Sequence, residues 1–443
     1  MRMTTQLTRS TQKEEKPSQR RYTSLMGMLF NEAGLTESFH RQPRDKAVGV
    51  DGVGKEDYGL NLVANITDLS ARLRRMGYRP KPARRVYIPK ATGGQRPLGI
   101  PSFEDRIVQD RLSRILQMIW EPEFCECSYG FRPNKGAHDA LARLNHIIVA
   151  ERTQWVVEAD IKGFFDRVHH QYLMRFIEHR MGDSNLLRVI QRFLKAGILE
   201  DGMFYASDEG TPQGGLVSPV LANIYLHYVL DLWFERRFAQ GCQGKAFLVR
   251  YADDFVGCFE CEADARGFEQ ALKARLAQFA LEVEPTKTAL LRFGDLAPAL
   301  CKRDGDRRPR TFNFLGFTHY IAVRCGKARL RRKTQRDRMR KKLKALGARL
   351  QALLHAGTRA IQEYVLAHVR GHIQYYGVRS NARSLSIYLC QVERVLFKWI
   401  NRRSQRRSFD WPRYHAWIRS WFPRPRIVHA LRYCVETTGS RMG

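Results

Sequence analysis

Phe247-Leu248-Val249-Arg250-Tyr251-Ala252-Asp253-Asp254-Phe255-Val256-Gly257-Cys258-Phe259 sets two adjacent acids between two apolar runs. Runs of this kind suit strands and the polar pair suits a turn, so the stretch predicts a β-hairpin with Asp253 and Asp254 at its tip. Aspartate is a common turn residue in its own right. A second stretch adds weight to a functional reading. Trp155-Val156-Val157-Glu158-Ala159-Asp160 ends another apolar run in a carboxylate, and Phe164-Phe165-Asp166 follows. Acids from two strand ends can then converge.

Carboxylates gathered in this way repel one another and call for a cation. Hard oxygen ligands suit Mg²⁺, with Mn²⁺ as a substitute. Two such ions about 3.5–4 Å apart activate an attacking hydroxyl and stabilise a leaving oxygen in a phosphoryl displacement.

The composition points the same way. Lys and Arg number 76 against 44 Asp and Glu, a formal net charge of +32, with a pI near 10.2. A surplus of that size repels itself unless a polyanion is near, so nucleic acid is the expected partner. No stretch approaches the roughly 18–20 uninterrupted apolar residues of a membrane span, and no membrane partner is expected. The 443 residues, 44% of them apolar, leave room for two or three domains. Nine scattered cysteines suit reduced thiols in the cytoplasm, near the nucleoid when DNA is bound, rather than a disulfide framework. Cys258-Phe259-Glu260-Cys261 has metal-like spacing, but without a second pair or a His pair it reads as packing. Met1 to Arg21 is polar and has no apolar core of a secretory signal.

Along the chain, Lys46 to Asp51 with Gly52 and Gly54 reads as a turn. Leu62, Ile66, Leu69 and Leu73 fall on one helix face between Leu60 and Met76. Arg84 to Leu98 predicts two strands around a Gly93-Gly94 turn, a hairpin that holds Lys90 and Arg96 near each other. A point-charge Lys and a forked Arg are what a triphosphate requires. Asp105 to Ile119, Val217 to Phe234 and Ala263 to Leu281 have helical apolar spacing, and Phe312 to Phe317 reads as one strand closing the central sheet. Lys327 to Arg349 holds twelve Lys or Arg and one acid, Asp337, with Met339, Leu343, Leu346 and Leu350 at helical intervals. It is expected to be a helix lying along a phosphate backbone, with Arg331, Arg332 and Lys333 as contacts. Ile361 to Tyr376 predicts another helix. From Arg394 to Arg426, ten Arg or Lys meet only Asp410, among Trp399, Trp411, Trp417 and Trp421. Cations interleaved with aromatics suit folded or single-stranded RNA, with Arg402, Arg403, Arg406 and Arg407 as contacts.

The ordered set of Asp160, then Thr211-Pro212-Gln213-Gly214-Gly215-Leu216-Val217-Ser218-Pro219, then Tyr251-Ala252-Asp253-Asp254 resembles the reverse transcriptases of group II intron maturases. The resemblance extends to Ser128-Tyr129-Gly130-Phe131-Arg132-Pro133, Arg370 to Val378, Asn401 to Gln405 and Pro423 to Arg426. It covers nearly everything from Lys46 to Tyr433. It implies an α+β right-hand polymerase with an antiparallel palm sheet. Asp160, Asp253 and Asp254 would then be the catalytic and metal-binding residues, holding two Mg²⁺. Lys90, Arg96, Phe165 and Gln213 would contact the incoming deoxynucleotide, Phe165 as the aromatic that excludes a ribose 2′-hydroxyl. The implied partners are the intron RNA, an RNA template with a DNA primer, and target DNA, and the implied roles are polymerisation, splicing and retrohoming. A domesticated enzyme of DNA repair, phage defence or a CRISPR system would share the same catalytic residues, and an RNA-binding splicing factor with a vestigial polymerase is the rival outside enzymes. Relatives with a C-terminal HNH nuclease carry paired cysteines there. Only about ten residues follow Tyr433, so DNA cleavage is not expected. The expected domains are a polar tail and the start of an N-terminal extension at 1–45, fingers and palm at 46–320, a helical thumb or maturase domain at 327–380 and a basic, Trp-rich module at 381–443.

Overall fold

The computed structural model describes residues 21–89, 94–211, 214–402 and 409–431. Its strands are β1 (Ala83–Pro89), β2 (Gln95–Ile100), β3 (Trp155–Asp160), β4 (Ile198–Glu200), β5 (Met203–Tyr205), β6 (Ala246–Tyr251), β7 (Asp254–Phe259), β8 (Ala289–Arg292), β9 (Phe312–Phe314), β10 (Phe317–Arg324) and β11 (Lys327–Thr334). They form three sheets, ordered β2-β1-β4-β5, β6-β7-β3-β8 and β11-β10-β9.

The middle sheet is antiparallel throughout, as its hairpin pattern demands. Side chains alternate across a strand, and this alternation divides the interior in two. Val157, Ala159, Phe255 and Phe259 face one core, which they share with the N-terminal helices and the helix Phe103–Trp120. Val156, Val256 and Cys258 face the other, which joins the helix Ala137–Ala150 to β9, β10 and the C-terminal helices. One sheet therefore ties together parts of the chain far apart in sequence. Cys258 is buried in the second core while Cys261 caps a helix, so the Cys-x-x-Cys pair diverges. Packing accounts for it.

The helix Leu62–Arg74 forms where its spacing predicts, burying Ile66, Leu69 and Leu73. Arg72 fastens it to the Phe103–Trp120 helix through Glu104 at 2.8 and 3.0 Å. The helix beginning at Ser218 runs into π-helical turns at His227–Asp231 and Phe234–Phe238. Arg275 donates to the carbonyls of Tyr228 and Val229 there. Among the described residues, no helix is long and apolar enough to cross a membrane.

Two expectations need correction. Phe312 to Phe317 is not one strand closing the central sheet: Leu315 and Gly316 both take positive φ, 50° and 80°. They turn the chain back so that Phe314 pairs with Phe317 in a separate sheet. A Cβ on Gly316 would stand 2.9 Å from the Tyr376 hydroxyl and 3.1 Å from Arg338, so it is these side chains that crowd the glycine. Likewise, Lys327 to Thr334 is strand rather than helix. Cys325 and Gly326, at φ 50° and 71°, close a hairpin that pairs β11 with the whole of β10. The basic helix starts only at Arg336 and ends at Ala352. Helices Gly357–Tyr376, Ala382–Ile400 and Trp411–Arg419 follow.

Candidate active site

Asp160 ends β3 and Asp254 begins β7, and the ladder sets the two directly opposite each other. Tyr251 pairs with Asp254 across the β6–β7 hairpin, leaving Ala252 and Asp253 as a two-residue loop. The pairing brings all three acids predicted from the sequence to one end of one sheet. Asp254 is half-buried, and its carboxyl is pushed up to about 7, first by desolvation and then by Asp160, Asp253 and Glu158. Glu158, two residues before Asp160 on the same face of β3, is likewise pushed up to about 7 by burial. Lys287 ion-pairs with Asp160, and that contact raises the pKa of Lys287.

The hairpin tip is held from below. Ala252 sits at φ 58°, a left-handed conformation costing about 1–3 kcal/mol for a residue with a side chain. Arg250, fully buried, donates to both Asp231 oxygens at 2.7 and 2.5 Å, to Asn223 at 3.0 Å, to the Ala252 carbonyl at 2.9 Å and to the Ser128 hydroxyl at 2.7 Å. The loop Ser128 to Pro133 is thereby assigned a place. Tyr129 N–H donates to the Arg250 carbonyl at 2.9 Å. Asn223 donates to the Gly130 carbonyl at 2.7 Å. A Cβ on Gly130 would lie 2.4 Å from the Ala252 nitrogen, so only glycine lets this loop press against the turn.

The remaining candidates are distributed around this corner. Phe165 is half-buried in the 3₁₀ turn Phe164–Asp166, while Phe164 beside it is the core residue. Thr211 N–H donates to the Phe165 carbonyl at 2.7 Å. A Cβ on Gly214 would lie 2.5 Å from the Gly99 carbonyl of β2. Gln213 itself lies outside the described residues, as do Lys90, Arg403, Arg406 and Arg407. Arg96 pairs through its backbone with Ile88. Arg402 is exposed, its guanidinium 5.4 Å from the Trp399 ring centroid. Arg331 and Lys333 lie on β11, half-buried and exposed, whereas Arg332 is buried. The strand explains the split, since alternate residues face opposite ways. An Arg332 exposed on a helix is thus corrected. Lys287, Arg250 and Asp231 were missed from the sequence. A lone Lys at the end of the short 3₁₀ turn Pro285–Lys287 and a buried pair separated by 19 residues leave no periodic signal.

Three carboxylates at one corner, one of them pushed up by burial and by the others, form a donor set that suits a divalent cation. Among the described residues no group of three His, Cys, Asp or Glu side chains is already gathered to hold a metal ion, and Asp160 is ion-paired with Lys287.

Residues 88–319, more than half of the chain, match the family described as reverse transcriptase (RNA-dependent DNA polymerase). The chain belongs to the reverse transcriptase family. Protein YkfC of Escherichia coli (strain K12) is 40% identical over 196 residues, 44% of this chain and 51% of that protein. Group II intron-encoded protein LtrA of Lactococcus lactis subsp. cremoris is 45% identical over 160 residues, 35% of this chain and 26% of that one. The match thus spans about half or less of these relatives' own lengths. A telomerase chain from Candida albicans aligns with 83% of this chain and 65% of its own, at a TM-score of 0.45 and 11% identity. Its fold is that of a right-hand polymerase with mixed helix and sheet, and β6-β7-β3-β8 is its antiparallel central sheet.

Proposed function

We propose that this reverse transcriptase adds deoxynucleotides to a primer 3′-hydroxyl on an RNA template, and that it serves a group II intron by also holding the intron RNA for splicing and retrohoming. The observation that carries the reading is the meeting of Asp160, Asp253 and Asp254 at one end of the β6-β7-β3-β8 sheet, taken as the palm, with the Asp254 carboxyl pushed up to about 7 first by burial and then by its acidic neighbours. These three residues would hold Mg²⁺, two ions by the family's expectation, which when bound supplies charge neutralisation and stabilises the oxygens of the displacement. Lys287 holds its proton on Nζ in an ion pair with Asp160. Arg250 fixes the turn on which Asp253 stands. Lys90 and Arg96 take the β and γ phosphates, Gln213 contacts the nucleotide, and Phe165 lies under the sugar, where bulk rejects a 2′-hydroxyl. The helices from Arg336 to Tyr376 act as the thumb of the 327–380 domain, and the module beyond 381 docks the intron.

Primer extension with deoxynucleotides on an RNA template tests this. Wild type extends, and Asp253→Ala loses extension by a thousandfold or more while RNA affinity stays nearly intact. Residual extension within about tenfold of wild type, a barrier change of only about 1.4 kcal/mol, would sink the assignment.

A further inference from the structure

Behind the palm, a cavity of about 870 Å³ runs between the helix Ala137–Ala150 and β11, bounded at its far side by Arg379, Ser380 and Leu431. None of its lining residues belongs to the acidic corner. Arg152, Lys327, Arg329, Arg331, Arg332 and Arg379 line it, against the single acid Asp295, which accepts from Gln154 at 2.6 Å. We propose that this cavity is a socket for the phosphodiester backbone of folded RNA, with Arg332 at its inner wall.

Arg332 carries the argument. Its residue is 2% exposed. Its guanidinium finds only neutral acceptors at long range: Asn145 Oδ1 at 3.2 Å and the Leu141 carbonyl at 3.4 Å. Its Nε has no hydrogen-bond partner among the described residues. Its neighbour across the ladder, His319, is equally buried and is held neutral by burial and then by Arg332, so it provides no countercharge. A cation taken out of water without an anion is costly, and a structural arginine ordinarily has a carboxylate beside it. The missing partner here is an anion entering through the cavity.

The outer wall says which anion. β11 is an edge strand. Lys327, Arg329 and Arg331 stand two residues apart along it, spaced about 6.6–6.8 Å. Lys327, Arg329, Arg152 and Arg379 are exposed. A row of cations on one face of the edge strand, with a buried one on the opposite face lining the same cavity, suits a linear polyanion that crosses the strand edge, whereas a free phosphate would be met by convergent groups alone. The proposal rests on reading the chain as an RNA-handling polymerase, and it adds a contact on the face away from the chemistry.

The test uses the full chain in three forms: wild type, Arg332→Met, which keeps bulk and removes charge, and the rim double variant Arg329→Gln with Arg379→Gln. Binding of a structured RNA is titrated at several salt concentrations, and melting is followed with and without millimolar inorganic phosphate. A socket for RNA lowers the log–log salt slope by about 0.7–0.9 per lost contact, one for Arg332→Met and up to two for the rim pair, with affinity down several-fold. Unchanged slopes in both variants overturn the proposal. Unchanged slopes together with phosphate protection that wild type shows and Arg332→Met lacks would give the socket to free phosphate and equally overturn the RNA assignment. If Arg332→Met does not fold, the rim pair decides alone. Wild-type primer extension is scored beside these titrations, so that failure of the polymerase reading registers there whatever the salt slopes show.

Discussion

The acidic corner of the central sheet and the C-terminal half hold opposite charges against the same physical resistance. At the corner, burial and like charge push Asp254 and Glu158 up to about 7. In the other half, burial pulls Arg332 down to about 10, His368 to about 4 and His372 to about 3, the two histidines also lying near Lys342. Each region keeps groups that its own fold leaves poorly compensated, and each would be relieved by a partner of the other sign: a divalent cation at the corner, a phosphate chain in the other half. Strain of this kind is stored where function needs it and offset by packing elsewhere.

The largest effect that separates the two regions comes from Arg250. Arg250→Met leaves Asp231 buried and unpaired, which costs about 3–5 kcal/mol, and it frees the Ala252 turn, so extension falls at least a hundredfold. Adding Asp231→Leu removes the orphaned charge. Melting temperature then recovers while extension does not, because the turn remains unheld. Recovery of both would make Arg250 a matter of stability alone.

A smaller effect follows from pH, and its sign differs between the regions. His368 and His372 titrate near 6.5 when unfolded and near 4 and 3 when folded, so their stabilisation is complete above pH 6.5 and is lost as pH falls below it. Asp254 and Glu158 act the other way. Their folded values lie near 7 and their unfolded values near 4, so their contribution is present at acid pH and lost as pH rises from about 4 to 7. Hydrogen exchange at pH 5 against pH 7.5 should show the helices Gly357–Tyr376 and Ala382–Ile400 less protected in acid, with β3 and β7 no worse. Equal loss in both places would erase the contrast.

The smallest effect is one of selectivity. Phe165→Ala should raise ribonucleotide use relative to deoxynucleotide by about tenfold or more in steady-state incorporation, and an unchanged ratio would return Phe165 to the core, with Phe164.

What the sequence disclosed, and what it did not, follows from range. The hairpin of Asp253 and Asp254 was legible because two apolar runs around a polar pair are a local signal, and the ladder with β3 then fixes where its tip stands. The Ile66, Leu69 and Leu73 face was legible for the corresponding reason at helical period. Lys327 to Thr334 was misread because its five cations run on into seven more by Arg349, while the apolar residues with helical spacing all lie beyond Arg336; the turn at Cys325 and Gly326 was the better guide. Lys287, Arg250 and Asp231 were out of reach, since the partner of each is set by tertiary pairing across many residues.

A crossed comparison tests most directly whether the acidic corner does the chemistry while the basic half does the holding. Extension on an unrelated RNA template and salt-dependent binding of a structured intron RNA are measured for Asp253→Ala and for the combined neutralisation of Arg402, Arg403, Arg406 and Arg407. The predicted result is that the first loses extension and keeps its salt slope, whereas the second keeps most extension and loses about 0.7–0.9 of slope for each phosphate contact removed. Both activities collapsing together in either variant, or equal slopes for the quadruple variant and wild type, would contradict it.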